Sequence, residues 1–367
     1  MIRGTLQRRP SSRNRSPYVA DVLLEANAEG DGAAEREAIC HVPALDMGGK
    51  CVSGATVLMR YARDKKGNKV GSAAVGPYGT PKCEFILQLV WVDEVPGHYP
   101  ALWVGAHPSL GEKLAESALR QGLLSAPGAL GVEVGELSGQ VRNIAGTNMR
   151  TDFVVTPPAM VAAAADATDA VEPTDDADRS AGDAETKARG KGKGKSKGKS
   201  KSTAGDALAC PRKTVIEVKM VVDSDFDVDH APKRKQCVYV SRDKPYRRAA
   251  IFPWANKPGQ DGPDGEKVVS ARAIKHVDEL ACLASGEKTD AAHGGRLDAA
   301  VLFVVLRHDV QYFKPNAESC TSFVKHLRRA HGRGVKIAAL RVRWGEGSDV
   351  GKAFADGTVA VEFPKTQ

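Results

Sequence analysis

The stretch from Ala159 to Asp206 constrains the chain most. It holds one proline, Pro173, and no aromatic residue, and it is dominated by Ala, Asp, Thr, Gly, Ser and Lys. Such a segment cannot bury enough apolar surface to offset its conformational entropy, so it is expected to be a disordered insert dividing the fold. Its first half is acidic and its second half alternates lysine with glycine or serine from Lys191 to Lys201. The two halves cancel, with nine acidic and nine basic residues over 159–206. The formal net charge of +8 carried by the 367 residues therefore belongs to the flanks. A basic folded surface favours a polyanionic partner. The lysine run itself reads either as a localisation or nucleic-acid patch or as a solubilising loop.

The flanks carry the patterns of folded structure. Short β-type runs occur at Tyr18–Leu24, Glu37–Val42, Ala55–Tyr61 and Glu84–Val92, separated by turn residues, and predict a small barrel over residues 1–95. Pro108–Leu124 has helical periodicity, with Ser109 placed to cap it. Strands are expected at Thr151–Val155, Thr214–Val222, Ala299–Arg307 and Val335–Val342, and helices at Val269–Ser285 and Ser319–His331. This alternation predicts an α+β protein whose second domain, 96–158 with 207–346, is a mixed sheet flanked by helices. Residues 347–367 read as a C-terminal tail.

No apolar run approaches the roughly 18 residues of a membrane helix; Ala299–Leu306 has eight. No apolar segment follows the N-terminal arginines as a secretory signal requires, and the seven cysteines form no CxxC pair. An intracellular protein is expected, with nuclear or organellar targeting left open; oligomeric state cannot be read.

Two short segments carry the chemistry. Asp152 opens the apolar run in Arg150-Thr-Asp-Phe153, and Glu217 and Lys219 interrupt another in Ile216-Glu-Val-Lys219. Strand alternation puts Glu217 and Lys219 on one face, where charges are costly unless they pair or bind something. With Asp152 on a neighbouring strand, two carboxylates and an ammonium converge. That is the D…(E)xK arrangement of metal-dependent phosphodiesterases, in which Mg²⁺ or Mn²⁺ sits on the carboxylates and the lysine serves the reacting phosphate. An ion pair within an edge strand is the alternative. At the N-terminus Arg3, Arg8, Arg9, Arg13 and Arg15 precede the first acid, Asp21. They read as a phosphate-gripping rim, an organellar transit segment or a solvated strand.

A resemblance adds to this. The ordered blocks Arg15-Ser-Pro-Tyr-Val-Ala-Asp-Val22, Cys40-His-Val-Pro43, Trp103-Val-Gly105, Leu114-Ala-Glu-Ser-Ala-Leu119, Met149-Arg-Thr-Asp-Phe153, Ile216-Glu-Val-Lys219, Ser270–Leu280 and Ala300–Arg307 resemble the sugar fermentation stimulation protein A (SfsA) family. The resemblance implies an N-terminal OB-fold, a PD-(D/E)XK nuclease-like second domain and DNA binding. It carries Asp152, Glu217 and Lys219 into catalytic roles, and adds Arg150, Arg272, Lys275 and His276 to the residues expected to face nucleic acid with Arg8, Arg9 and Arg15. The family's glutamate before the Asp152 strand is replaced by Gln140, which offers a metal an amide oxygen but no charge. The site is thus either a nuclease or a degenerate module that only binds.

Overall fold

The computed structural model describes residues 1–365 except 31, 45–46, 162–211, 233–237, 256–257 and 291–294. The low-complexity stretch from 162 on, with its lysine run, lies outside the described residues.

The first body is built from β1 (Ile2–Arg8), β2 (Val19–Leu24), β3 (Arg36–His41), β4 (Thr56–Tyr61), β5 (Phe85–Val92) and β6 (Leu102–Gly105). β1 pairs with both β2 and β4, and β3 closes on β5 through Cys40 and Phe85. The cyclic order β1-β2-β3-β5-β4 is that of a five-stranded OB barrel, with β6 added on β5. β1, which carries Arg3 and Arg8 of the N-terminal arginine cluster, lies inside this sheet between β2 and β4. Ile2, Gly4 and Leu6 point into the core while Arg3 and Arg8 are exposed.

After α1 (Ser109–Arg120) the chain builds one mixed sheet. Its strands are β7 (Glu136–Arg142), β8 (Arg150–Thr156), β9 (Thr214–Val221), β10 (Asp223–Ser224), then β13 (Ala249–Phe252) beyond the short parallel pair β11 (Phe226–Asp227) and β12 (Val240–Ser241). The ribbon β14 (Gln260–Asp261) and β15 (Lys267–Val268) leads to α2 (Ala271–Ser285), followed by β16 (Asp298–Val305), β17 (Tyr312–Pro315), α3 (Thr321–Gly332), β18 (Lys336–Trp344) and β19 (Ala353–Val361). The order across the sheet is β10-β13-β17-β19-β18-β16-β9-β8-β7, with β9, β16 and β18 parallel. β16 is buried on both faces, which is why its sequence is continuously apolar. α1 and the barrel cover one face; α2 and α3 cover the other.

Two expectations need correction. Ser109 does not cap α1: Pro108 occupies the cap position, and the Ser109 hydroxyl bonds instead to His107 Nδ1 at 2.8 Å. Nor are residues 347–367 a tail. β19 pairs with β18 and β17, its half-buried alternation masked by Asp356-Gly357, which reads as a turn.

The barrel and the sheet share one apolar core. It runs from Leu6, Val57 and Leu89 through Trp103 to Leu302, Leu306 and Trp344. Gly105 stands where a Cβ would fall 2.5 Å from Leu306 Cδ1, and its N–H donates to the Leu306 carbonyl at 3.1 Å. Beside this contact lies a buried ionic cluster. Glu94 accepts from Arg248 at 2.6 Å and Arg307 at 2.8 Å; Asp309 accepts from both arginines; Lys50 pairs with Asp223 at 2.5 Å. Three cations face three anions, so the cluster is neutral.

Candidate metal and phosphate site

The site forms where β8 and β9 part. Their ladder runs Val155–Thr214, Val154–Val215, Phe153–Ile216 and stops there. One more step would set Asp152 directly opposite Glu217, and like charges across a ladder repel. Side chains replace the lost ladder bonds. Asp152 Oδ2 accepts the Val218 N–H at 2.7 Å, and Thr151 Oγ1 donates to the Ile216 carbonyl at 3.0 Å. The sheet stays satisfied while the strands splay.

Glu217 is 4% exposed. Its Oε1 receives Lys219 Nζ at 2.6 Å and meets His276 Nδ1 of α2 at 2.5 Å. Its Oε2 is buried with no hydrogen-bond partner. Burial works against the Glu217 charge, but His276 and Lys219 outweigh it and hold the carboxyl below the usual range. Asp152 goes the other way. Burial and then the charge of Glu217 push it up to about 6, against the lowering effect of the Val218 N–H. Two neighbouring carboxylates, one with an orphaned oxygen, are the electrostatic signature of a place that wants a cation.

Gln140 joins them from β7. Its backbone is left-handed, φ 56°, so the β7–β8 ladder skips it between Gly139–Phe153 and Val141–Thr151. Its amide donates to Asp152 Oδ1 at 3.4 Å and to Glu112 Oε2 at 2.8 Å. Glu112, from the first turn of α1, was not anticipated. It lies 28 positions before Gln140, and no local pattern marks it. Among the described residues no three of His, Cys, Asp and Glu converge into a ready-made metal cluster. The donors available to an ion are Asp152, Glu217 Oε2 and the Gln140 amide oxygen, a hard, oxygen-only set suited to Mg²⁺, Mn²⁺ or Ca²⁺.

The other expected residues scatter. His276 is buried in the site, and Arg272 Nε lies 3.4 Å from its Nε2. Lys275, one position earlier, faces outward into a separate 380 Å³ cavity with Asp261, Asp278, Glu279 and Lys288. Arg150 is exposed at the start of β8. On the barrel Arg8 and Arg15 are exposed, whereas Arg9 donates to the carbonyls of Pro17 at 2.8 Å and Ala44 at 2.9 Å. A guanidinium so engaged braces a loop. The β4–β5 connection adds a basic segment that sequence reading passed over. Arg63, Lys65, Lys66, Lys69 and Lys82 are exposed, and Tyr78 is 96% exposed on the Gly76–Gly79 turn. No helix among the described residues is long and apolar enough to cross a membrane.

Comparison with known proteins bears on the fold and on part of the second domain. Residues 263–348 match the family model described as the sugar fermentation stimulation protein RE domain. A sugar fermentation stimulation protein homolog of Rhizobium rhizogenes is 36% identical over 75 residues, 20% of this chain and 26% of that protein, so the match spans about a quarter of the relative's length. A solved structure, SfsA of Pyrococcus furiosus in complex with Ca²⁺, aligns with TM-score 0.51 and 16% identity over 98% of this chain and 95% of that one. At that identity the likeness is one of fold: an OB barrel followed by a nuclease-like sheet.

Proposed function

Since the chain belongs to the sugar fermentation stimulation protein family, we propose that it binds DNA and carries a phosphodiesterase-type site for a divalent cation at Asp152 and Glu217. One observation carries the reading: the orphaned, buried Glu217 Oε2 beside a second carboxylate whose ionisation it opposes. The residues fit a divalent ion, and the solved relative was crystallised with Ca²⁺. Asp152, Glu217 and Gln140 would hold it, with Mg²⁺ or Mn²⁺ as the working candidates. Such an ion would supply charge neutralisation and a more acidic water. The chain's own groups do the rest. His276 fixes the Glu217 carboxylate from behind. Lys219 keeps a cation at the mouth of the site, where charge builds on a phosphoryl oxygen. Arg150 and Arg272 lie exposed on its flanks. The exposed arginines of the barrel and the lysines of the β4–β5 connection would hold the phosphate backbone with little sequence readout.

A second reading has its own support. Glu217 Oε1 is already saturated by Lys219 and His276, and Gln140 brings no charge, which favours a fold that binds DNA without cutting it. Labelled single- and double-stranded DNA and RNA, incubated with Mg²⁺ or Mn²⁺ and with EDTA, separate the two. Metal-dependent cleavage lost in Lys219→Ala supports the enzyme. Salt-sensitive binding without cleavage supports the module. The absence of salt-sensitive binding removes the DNA reading altogether.

A further inference from the structure

We propose that Glu112 is the third acidic group of the cation site, acting on the ion from α1 through Gln140. This rests on the cation reading above and adds a residue to it. Asp152 and Glu217 alone bring two negative charges, and Lys219 neutralises one of them at 2.6 Å. A divalent ion would therefore meet little net charge from the strands. Gln140 cannot add any, but its left-handed backbone turns its amide so that one NH₂ group spans Asp152 Oδ1 and Glu112 Oε2. An amide NH₂ that donates to both carboxylates offsets their repulsion and holds Glu112 within reach of an ion on Asp152.

The approach of α1 is built in. Gly111, immediately before Glu112, rests on Met220 of β9, where an added Cβ would lie 3.2 Å from Met220 Cβ. The helix is thereby seated one residue beyond Lys219. Glu112 itself is exposed and contributes nothing to the apolar core. The orphaned Glu217 Oε2, in a side chain 5% exposed, is the sign, separate from the Glu112 and Gln140 contacts, that a ligand belongs here. Because Gln140 stands between Glu112 and Asp152, Glu112 acts through an outer contact, by its charge or by a water on the ion. Mg²⁺ and Mn²⁺ sites commonly retain such waters.

Calorimetric titration of the full chain with Mn²⁺ at pH 7.5 tests this, with urea unfolding as a check on integrity. Glu112→Gln should weaken Mn²⁺ binding about tenfold, as loss of an outer-shell carboxylate does, and leave the urea midpoint in place. Gln140→Glu should tighten binding. The double variant Glu112→Gln/Gln140→Glu, which moves the charge from helix to strand, should return to wild-type affinity within about twofold. If Glu112→Gln binds as wild type while Asp152→Asn does not bind, the inference fails and the two-carboxylate site stands. If wild type binds no Mn²⁺ at millimolar concentration, the cation reading falls and this inference with it.

Discussion

Replacing Asp152 by asparagine should stabilise the protein, and by an amount that depends on pH. An aspartate ordinarily ionises at 3.8; in the folded chain Asp152 rises to about 6, chiefly through burial and the Glu217 charge. A carboxylic acid whose folded pKa is raised binds its proton more tightly in the native state. Its contribution is thus most favourable at low pH and becomes a cost as pH rises from about 4 to 6. A shift of about two units corresponds to about 3 kcal/mol, and solvent screening at a part-exposed group trims that to about 2 kcal/mol. Asparagine keeps the acceptor for the Val218 N–H, since its amide oxygen can replace Oδ2, and discards the charge. Urea unfolding at pH 8 should place Asp152→Asn about 2 kcal/mol above wild type, and at pH 4.5 the gap should shrink to about a third of that. Millimolar Mn²⁺ should then raise wild type and leave the variant unchanged, because only a ligand-competent native state gains from mass action. An Asp152→Asn protein less stable than wild type at pH 8, or a gap independent of pH, would refute the electrostatic reasoning.

Three further outcomes follow from the same geometry. Glu94→Gln leaves Lys50, Arg248 and Arg307 facing only Asp223 and Asp309, one uncompensated buried cation, and should cost about 3–5 kcal/mol in urea unfolding at pH 7. Although burial opposes the Glu94 charge, Arg307, Lys50 and Arg248 hold the carboxyl far below its ordinary 4.5; its contribution is fully present above that value and is lost progressively as pH falls towards the folded value, so the gap should begin to narrow only below about pH 4.5. Gly105→Ala forces a Cβ against Leu306 and should cost about 1–3 kcal/mol, read as a lower midpoint. Tyr78→Ala should weaken single-stranded oligonucleotide binding by about 1–3 kcal/mol without changing its salt slope, as loss of one stacked base does, whereas Lys65→Ala/Lys66→Ala should flatten the slope.

The sequence revealed what alternation and continuity reveal. β16 and β9 stood out because a strand buried on both faces must be apolar throughout, and Glu217 and Lys219 stood out against that background on a shared face. The elements it concealed are those whose stability comes from neighbours. β1 looked like a cluster of arginines because Gly4 breaks the apolar row of its inward positions, Ile2, Gly4 and Leu6. β7 is polar because it is the sheet edge, and β6 is only four residues long. In the site, Asp152, Glu217, Lys219, Gln140 and His276 meet, but nothing local distinguishes buried His276 from outward-facing Lys275 beyond helical phase. Arg9 could not be separated from Arg8 and Arg15 because its partners are carbonyls of two distant loops. Glu112 was invisible for the same reason. Its role depends on how a glycine seats a helix on a strand about a hundred residues later.

The core that passes unbroken from Leu6 to Trp344 bears on reach. Bodies joined by a strap can pivot and so address a range of positions on a long molecule. Here Gly105 and Trp344 both donate to the Leu306 carbonyl, at 3.1 and 3.0 Å, so barrel and sheet are fastened at one atom as well as packed. A strand gripped at Arg8 and Arg15 would be offered to Asp152 and Glu217 at a single offset. Under the proposed function such a molecule would work as a gauge: the spacing between the place it holds and the place it acts would be cast into the fold, kept by the shared core, the ionic cluster around Glu94 and the joint at Leu306.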